Sequence, residues 1–379
     1  MVQLAREITI HIVAEFGSDE MLRRLSDPFW FQAFGCVLGF DWHSSGLTTT
    51  VCGALKVGLA GAESDTGIHV AGGKGRASRR TPDELRATAE RLALDGDALA
   101  YNSRMTAKVD NTAVQDGFQL YHHSFFLTDA GDWAVVQQGM NDRRRAARRY
   151  HWLGRRVSDL VCEPHTAICS DARGGPVLNL VARDSADART TSAALARERP
   201  DAVRRDIRDL VQLRMPARHH IEVRRDLNPR NLDSVLLKTY EAQPADFEAL
   251  LAIRGVGPKS IRALALIAEL AYGQPASTRD PARFSFAHGG KDGTPYPVDR
   301  ETYDRSIEWL RAAVRAARMG RTERVDAMRR LAELGIRYSV TGVRSSLSGS
   351  RSPEGHARTS GSGGEPPVTP TSASADGEG

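Results

Sequence analysis

Residues 119–138 run Gln-Leu-Tyr-His-His-Ser-Phe-Phe-Leu-Thr-Asp-Ala-Gly-Asp-Trp-Ala-Val-Val-Gln-Gln, and this stretch decides the fold class. Two runs rich in aromatic and β-branched residues, 119–128 and 133–138, flank a turn-forming segment, Asp-Ala-Gly-Asp. The pattern predicts a β-hairpin. Because the hairpin is only partly amphipathic, we expect it near the middle of a sheet rather than at a solvated edge.

Helical patterns precede this hairpin. Apolar residues recur at helical spacing in residues 1–26. Another helix is predicted from Thr81 to about Leu94, because Thr81 can cap it and Glu84 can complete a capping box. Residues 27–75 are rich in Gly, Thr, Ser and aromatic residues, so strands and tight loops are expected there.

Helical patterns also follow the hairpin. They cover residues 200–273 and 303–334, and Gly335 is expected to end the last helix. From about residue 339 the chain is dominated by Ser, Gly, Pro, Thr and Glu. Such a segment buries too little apolar surface to offset the entropy of ordering, so we expect it to be disordered.

We therefore predict an α+β fold in three parts. Residues 1–185 form an N-terminal domain in which helices flank a mixed sheet, and this domain holds the candidate active site. Residues 186–338 form a helical domain that contains a helical pair at 250–272. Residues 339–379 form the disordered tail.

Composition bounds the class of protein. The chain has 379 residues, 41% of them hydrophobic, which suffices for two or three domains, and its net charge is +5. The N-terminus is too interrupted by charge for a signal peptide, and no apolar run approaches the length of a membrane span. The four cysteines form no Cys-x-x-Cys pair, which argues against a disulfide framework. We expect a cytoplasmic protein without a membrane partner.

Arginines crowd one short segment after the hairpin. They are Arg143, Arg144, Arg145, Arg148, Arg149, Arg155 and Arg156. The charge predicts an anionic partner, most simply nucleic acid. The neighbouring Tyr150, His151 and Trp152 favour a binding surface, because aromatic rings and guanidinium planes can stack on bases. A solvated helix face is the alternative.

The stretch 250–272 carries the strongest functional signal. An apolar helix end, Leu-Leu-Ala-Ile, leads into Arg-Gly-Val-Gly-Pro-Lys-Ser, and a second apolar helix follows. Glycines let the chain turn tightly and expose N–H groups at a helix N-terminus, which favours an anion. The residues expected to bind DNA phosphate here are Arg254, Gly255, Gly257, Lys259 and Ser260.

This stretch resembles the helix-hairpin-helix motif, which grips the DNA backbone without reading base sequence. The motif often has Pro where Arg254 stands and Ala where Ile261 stands. Arg254 could add a phosphate contact, and Ile261 makes the hairpin more crowded. A plain connector that uses Gly to reverse the chain is the alternative, but several independent features coincide here.

A second basic stretch, residues 67–80, is also expected to contact phosphate. Glycines surround Lys74, and Arg76 follows, so backbone N–H groups and cations could wrap an anion together. The spacing of a nucleotide-binding P-loop is absent. A flexible surface loop is the alternative explanation.

Polar residues near the predicted strands supply the candidate catalytic groups. Asp41 and His43 follow an apolar run expected to be a strand, where hydrolytic sites tend to lie, although a capped turn explains them equally well. Asp116 and His123 lie beside or on the hairpin, and either could act as an acid or base. Glu163 stands two residues before another imidazole.

Three of these carboxylates could hold a divalent metal. Asp41, Asp116 and Glu163 would form a nuclease site for Mg²⁺ or Mn²⁺, provided that the fold brings them together. The metal-site hypothesis therefore depends both on the ligand chemistry of these residues and on a fold that brings them together.

Long motifs along the chain resemble one bacterial and archaeal family, DUF763. The matching stretches are residues 28–46, 67–80, 114–123, 250–272 and 284–298. The resemblance covers about residues 1–335 and leaves the tail outside. It implies little about activity, because the family is uncharacterised. Family members usually begin with a further segment containing Gly and His, so this chain is expected to start after it.

The residues favour a DNA-binding protein that acts in DNA processing or repair, with a metal-dependent nuclease as its candidate activity. The pairing of such a hairpin with an enzyme domain is an analogy. One alternative is a DNA-binding or architectural protein without chemistry. The other is a base-excision glycosylase, since Lys259 stands where bifunctional members place their nucleophile. Asp280 is the nearest match to their Asp, a few residues late.

Overall fold

The computed structural model describes residues 1–40, 46–170, 177–212, 229–284 and 300–347. Within these ranges helices surround one central antiparallel sheet, so the predicted α+β class is confirmed. No helix in this part of the chain is both long and apolar enough to cross a membrane.

Helices and strands are numbered separately in chain order. The helices are α1 (Val2–Phe16), α2 (Ser18–Leu25), α3 (Pro28–Val37), α4 (Leu47–Leu59), α5 (Glu63–Thr66), α6 (Arg76–Arg79), α7 (Thr81–Leu92), α8 (Gly96–Lys108), α9 (Ala186–Arg197), α10 (Pro200–Gln212), α11 (Pro229–Ala242), α12 (Phe247–Ala252), α13 (Pro258–Tyr272), α14 (Arg300–Ala316) and α15 (Arg321–Leu347). The strands are β1 (Ile68–Lys74), β2 (Val114–Gln115), β3 (Gln119–Thr128), β4 (Trp133–Asn141), β5 (Ala146–Leu153), β6 (Ala167–Ser170) and β7 (Leu178–Asn179). Short helical turns lie at Val109–Ala113, Gly154–Arg156 and Arg183–Ser185, and the first of them is π-helical.

The predicted hairpin lies inside the sheet. The strand order is β1-β3-β4-β5-β6, and all neighbouring strands are antiparallel, so the sheet is not the mixed sheet expected from the sequence. Strands β3 and β4 pair with Phe125 opposite Val135, and residues 129–132 connect them. The expectation of a hairpin with neighbours on both sides is therefore confirmed. A separate two-stranded sheet pairs β2 with β7.

The sheet separates two hydrophobic cores. One face presents Phe125 and Val135 to a core that α7, α9 and α13 complete. The other face presents Phe126 and Val136 to a core built from α1 to α4 together with α14 and α15. Both cores draw residues from each side of the boundary predicted at residue 185, because α9 and α13 contribute to the first core and α14 and α15 to the second.

Helices α3 and α4 occupy much of residues 27–75, so the expectation of strands and loops is wrong over that part of the range, whereas β1 at Ile68–Lys74 agrees with it. Helix α3 begins where Asp27 caps it, with Oδ1 accepting hydrogen bonds from Phe29 N at 2.9 Å and Trp30 N at 3.1 Å. The helix is buried without interruption from Trp30 to Val37. No polar face marks its period, and the apolar run therefore mimics a buried strand.

Helix α7 begins at Thr81 as predicted, but neither predicted cap forms. Thr81 donates its hydroxyl to Ser78 O at 2.8 Å. The Glu84 carboxylate instead accepts from Gly72 N at 2.9 Å and Lys56 Nζ at 2.7 Å. Glu84 thus ties α7 to β1 and α4.

The last helix passes two predicted boundaries. Helix α15 continues through Gly335, which was expected to end it, and runs to Leu347. It therefore extends beyond residue 339, the predicted start of the tail. The rest of that tail, residues 348–379, lies outside the described residues.

Candidate nucleic-acid interface and adjoining cavity

The connection between α12 and α13 forms a tight turn over residues 253–257. Buried apolar side chains on both helices anchor it, among them Leu251 and Ile261. Gly255 has φ of 100°, a conformation that side chains with a Cβ rarely adopt. The sequence therefore needs glycine at this position for the turn itself.

A half-buried cation supports one side of the turn. Lys108, at the end of α8, donates from Nζ to the carbonyl oxygens of Leu251, Ile253 and Val256 at 2.5, 2.8 and 3.0 Å. Burial lowers the pKa of Lys108. Leu251 lies in the last turn of α12, where carbonyls have no helical partners, and the other two carbonyls belong to the turn. The turn consequently exposes donors more than acceptors.

Helix α13 begins without a capping side chain. Its N-cap is Gly257, and the first bond across this end runs from Ile261 N to Gly257 O at 3.1 Å. Within the described residues, the N–H groups of Gly257, Lys259 and Ser260 find no acceptor. Since the helix dipole is positive at this end, these donors favour an anion.

Three exposed cations surround these donors. Arg254 belongs to the turn, and Lys259 lies directly after it in the first turn of α13. Lys238 comes from α11, and its Nζ lies 3.8 Å from where a Cβ on Gly255 would stand. The sequence could not identify Lys238, because its place beside the turn depends on how α11 packs.

Gln115 connects the turn to the rest of the fold. Its Nε2 donates to Pro258 O at 2.8 Å, and its Oε1 accepts from Arg262 Nε at 2.7 Å. Gln115 lies in β2, and β2 pairs with β7, where Val114 stands opposite Asn179. The two-stranded β2–β7 sheet therefore lies between the turn and the groups around Asn179.

Asn179 lies in the wall of a cavity of about 340 Å³. The charged or polar side chains in the wall are Glu163, His165, Thr166, Asn179, Arg279, Asp280 and Arg283. Apolar groups such as Ile168 and Val181 complete it. A cavity of this size with a few convergent polar groups is typical of a small-molecule or nucleotide site.

His165 is held in the cavity wall by a buried carboxylate. Its Nε2 lies within hydrogen-bond distance of Asp110 Oδ1. The other oxygen, Oδ2, accepts from Gln137 Nε2 at 2.6 Å and from Trp152 Nε1 at 3.0 Å. Burial raises the pKa of Asp110, whereas these donors and His165 oppose the rise. The network fixes the position of the carboxylate, and the carboxylate orients the imidazole.

Asp280 is held by a second buried network. Arg148 donates to Asp280 Oδ2 at 2.8 Å and to Asp116 Oδ2 at 2.7 Å, and its side chain is fully buried. Tyr150 donates its hydroxyl to the same Asp116 oxygen at 2.9 Å. The nearby carboxylates raise the pKa of Arg148 against the effect of burial. One guanidinium thus joins the sheet to the segment that carries Asp280.

A comparison with known protein families shows to which family this chain belongs. The model of a family described as "Protein of unknown function (DUF763)" matches residues 1–298. The chain belongs to the DUF763 family. No curated protein and no solved structure compared with it matches.

The described part of this DUF763 protein does not bring the predicted metal ligands together. Asp41, and with it the candidate His43, lies outside the described residues. Asp116 is buried, and Phe118 N, Tyr150 and Arg148 already bind its oxygens. Across the described ranges, no group of three or more His, Cys, Asp or Glu side chains could hold a metal ion. The metal site stays a prediction that depends on Asp41.

Two other candidate catalytic residues occupy different environments. Glu163 is exposed at the rim of the cavity, 3.6 Å from Arg183. His123 is buried, and its nitrogens contact Ser103 Oγ at 2.9 Å and Gln137 Oε1 at 2.8 Å. Burial lowers the pKa of His123 to about 4. These contacts make it a neutral part of the interior.

The arginine segment does not form the stacking surface expected from the sequence. Arg148 and Arg149 belong to β5 and lie on opposite faces of the sheet. Tyr150, His151 and Trp152 are each 0% exposed, so they cannot stack on bases. The prediction fails because a strand buried on both faces hides alternate side chains in two interiors.

The exposed arginines of this segment divide into two groups, one at residues 143–145 and one at Arg155 and Arg156. Arg143, Arg144 and Arg145 lie in the exposed turn between β4 and β5. Arg155 contacts the carboxylates of Asp132 and Asp19, each at 2.7 Å. The turn is thus the part of the segment most open to an anion.

The glycine-rich stretch near β1 has a structural explanation. A Cβ on Gly72 would lie 2.3 Å from His123 O, so the close approach of β1 to β3 requires glycine there. Lys74 ends β1 and Arg76 begins α6, and both are exposed. The two cations remain candidates for phosphate contact, while the glycine content reflects strand packing.

Proposed function

We propose that this protein binds the sugar-phosphate backbone of nucleic acid, with DNA as the principal ligand, at the turn between α12 and α13. One observation carries the proposal. The start of α13 presents N–H donors that no described residue caps or accepts from, and Arg254, Lys238 and Lys259 lie exposed beside them.

Elementary electrostatics explains why this arrangement suits a phosphodiester. Phosphate oxygens accept hydrogen bonds from helix N-termini, and the dipole and cations add attraction. Lys108 helps because it binds the carbonyl oxygens that would otherwise repel an anion. Contacts of this kind position a strand without reading its bases. The expected ligand is therefore any strand that presents accessible phosphates.

DNA processing or repair is the second candidate function, and the adjoining cavity favours it. The cavity offers polar groups one two-stranded sheet away from the turn, where a bound strand could reach them. For the chemical activity, we keep the proposal made from the sequence, which is a nuclease that uses Mg²⁺ or Mn²⁺. A glycosylase has less support, because Lys259 does not line the cavity that contains Asp280.

Binding can be measured by fluorescence anisotropy with labelled duplex DNA, single-stranded DNA and RNA of the same sequence. We expect the wild-type protein to bind duplex DNA, and Lys259→Ala to weaken binding about tenfold at low salt, the order expected for a lost phosphate contact. Arg144→Ala, which removes an exposed charge from a different turn, is the matched control. Absence of DNA binding at low salt, or equal losses in both variants, would reject the interface.

The processing activity needs a separate assay. Labelled DNA is incubated with the protein and Mg²⁺ or Mn²⁺, with a chelator in parallel. Metal-dependent cleavage that Asp41→Ala abolishes would support the predicted metal site. Binding without cleavage under all these conditions would favour the architectural alternative.

A further inference from the structure

The cavity contains a histidine arranged to accept a proton. Asp110 accepts from the Nε2 of His165, which places the ring proton on Nε2 in the neutral imidazole. The lone pair of Nδ1 then has no partner among the described residues. Because His165 lines the cavity, this lone pair is available to a ligand there.

The position of His165 is fixed from several sides. Asp110 is fully buried and held by Gln137 and Trp152, so it cannot move far from its place. The Trp152 ring also packs against the imidazole, with ring centroids 4.5 Å apart. A histidine oriented by a buried carboxylate, with its second nitrogen facing a cavity, is the usual arrangement of a general base.

The remaining polar groups of the wall favour a substrate with an anionic part and a donor. Arg283 is exposed and has no carboxylate partner in the described chain. Asp280 is already paired with Arg148, and Glu163 lies near Arg183. Asn179 is 4% exposed, and its Oδ1 is buried without a hydrogen-bond partner. The wall thus combines a free cation with an unsatisfied acceptor.

The neighbourhood identifies the class of substrate. The strand pair β2–β7 carries Gln115, which contacts the α12–α13 turn, and Asn179, which contacts the cavity. In the proposed arrangement, a nucleic-acid strand held at the turn passes around the β2–β7 pair to reach His165. This step rests on the proposed function, because the turn supplies the nucleic acid.

We propose that His165 is a catalytic general base for hydrolysis of phosphodiester bonds in such a strand, and that Asp110 is its positioning residue. The Nδ1 of His165 takes a proton from water as the water oxygen forms a bond to phosphorus. The bond from phosphorus to one ester oxygen breaks, and that oxygen takes a proton from solvent. The products are a phosphate monoester and an alcohol. Arg283 lies where it can stabilise the charge that develops on the phosphoryl oxygens.

Two substrates separate this proposal from the binding proposal. Labelled DNA needs both the turn and the cavity, whereas bis(p-nitrophenyl) phosphate is small enough to reach the cavity without the turn. Each is tested with Mg²⁺ present and with wild-type protein, His165→Gln, Asp110→Asn and His11→Ala. The glutamine amide can still donate to Asp110 but is no base. His11 on α1 provides a histidine control outside the cavity.

We expect His165→Gln to lower the rate of DNA cleavage at saturating protein by about 10²- to 10⁴-fold, the range typical of a lost general base. The Kd for DNA should stay within about twofold, since the lost base lies outside the phosphate contacts. Asp110→Asn should lower the rate and leave Kd unchanged, and His11→Ala should change neither. Imidazole added to His165→Ala should restore part of the cleavage, which a merely structural role would not allow.

Three results would contradict one or other of these proposals. Wild-type protein that binds DNA but cleaves neither substrate would overturn the catalytic proposal and leave the binding proposal standing. Protein that does not bind DNA, yet hydrolyses the small diester in a manner that depends on His165, would overturn the binding proposal and nucleic acid as the substrate, and would leave only the role of His165 as a general base. Cleavage that His165→Gln retains at the wild-type rate would also overturn the role of His165.

Discussion

Two regions of this protein concentrate positive charge, and they use it in opposite ways. Strand β5 carries Arg148 and Arg149, which are 0% and 1% exposed and bind carboxylate, imidazole and amide groups inside the fold. The α12–α13 turn carries Arg254 and Lys259, which are exposed and form no ion pair with the described residues.

The difference teaches that availability, rather than number of charges, marks a binding surface. In the sequence the β5 segment has the denser cations. In the structure those cations stabilise the interior, and the sparser turn has the unpaired donors. A buried ion pair costs desolvation and depends on both partners, whereas an exposed cation contributes little until an anion arrives.

The largest effect should come from Arg148. Arg148→Met leaves Asp116 and Asp280 without their shared cation, so we expect the free energy of unfolding to fall by about 3–5 kcal/mol. Urea denaturation measures this loss. Arg144→Ala, on the exposed turn, should stay within about 0.5 kcal/mol of wild type. An equally mild effect at Arg148 would mean that its network contributes little to stability.

Acidic pH should lower the stability of the protein through two buried histidines, His122 and His123. Burial lowers the pKa of His123 to about 4 and that of His122 to about 3, so both stay neutral in the folded protein below the usual pKa of 6.5. The unfolded chain takes up protons first as pH falls. This stability is present above pH 6.5 and declines as pH falls toward the folded pKa, by about 1.5 kcal/mol for each histidine between pH 6.5 and 5.

The readout for this prediction is the difference between variants. Asp110 and Asp116 have pKa values that burial raises, and their protonation acts in the opposite direction. We therefore compare urea unfolding at pH 7 and pH 5 for wild type, His123→Asn and His11→Ala. The His123 variant should lose about 2 kcal/mol of the pH dependence, and His11→Ala should keep it. Identical pH dependence in all three would contradict the neutral, buried state of His123.

Substitution of the two glycines of the turn should have smaller effects on stability, and the effects should differ between the two positions. Gly255 has φ of 100°, so Gly255→Ala should cost about 1 kcal/mol of stability. Gly257 has φ of −139°, and a Cβ there would meet nothing within 4 Å, so Gly257→Ala should leave stability unchanged. The added methyl group at Gly257 should still weaken DNA binding, because it enters the space proposed for phosphate. Thermal unfolding and anisotropy together test both halves of this prediction.

Local patterns made part of the fold predictable. The hairpin over residues 119–138 depends on neighbouring residues alone, and its strands appear within a few residues of their predicted ends. Helix α3 was not predictable because burial on every side removes the polar face that marks a helix. Strand β5 was missed for the opposite reason, since Arg148 and Arg149 give a buried strand the composition of a surface.

The candidate sites show the same limit. The glycines and Lys259 of the turn are contiguous in sequence, so their grouping was visible there. Lys238 reaches the turn only through the packing of α11, and Asp110 reaches His165 across 55 residues of chain. The cavity draws its wall from three separate segments. Proximity of this kind follows from tertiary structure, and no residue spacing reports it.

The salt dependence of DNA binding tests the central claim most directly, because each phosphate contact releases counterions. The slope of log Kd against log salt concentration is measured for wild type, for Lys238→Ala/Lys259→Ala and for Arg143→Ala/Arg144→Ala. The account predicts that the first double variant lowers the magnitude of the slope by about 2, close to 0.9 for each lost phosphate contact, and that the second leaves it unchanged. An unchanged slope in the Lys238/Lys259 variant, with a reduced slope in the Arg143/Arg144 variant, would place the nucleic acid on the other turn and contradict the account.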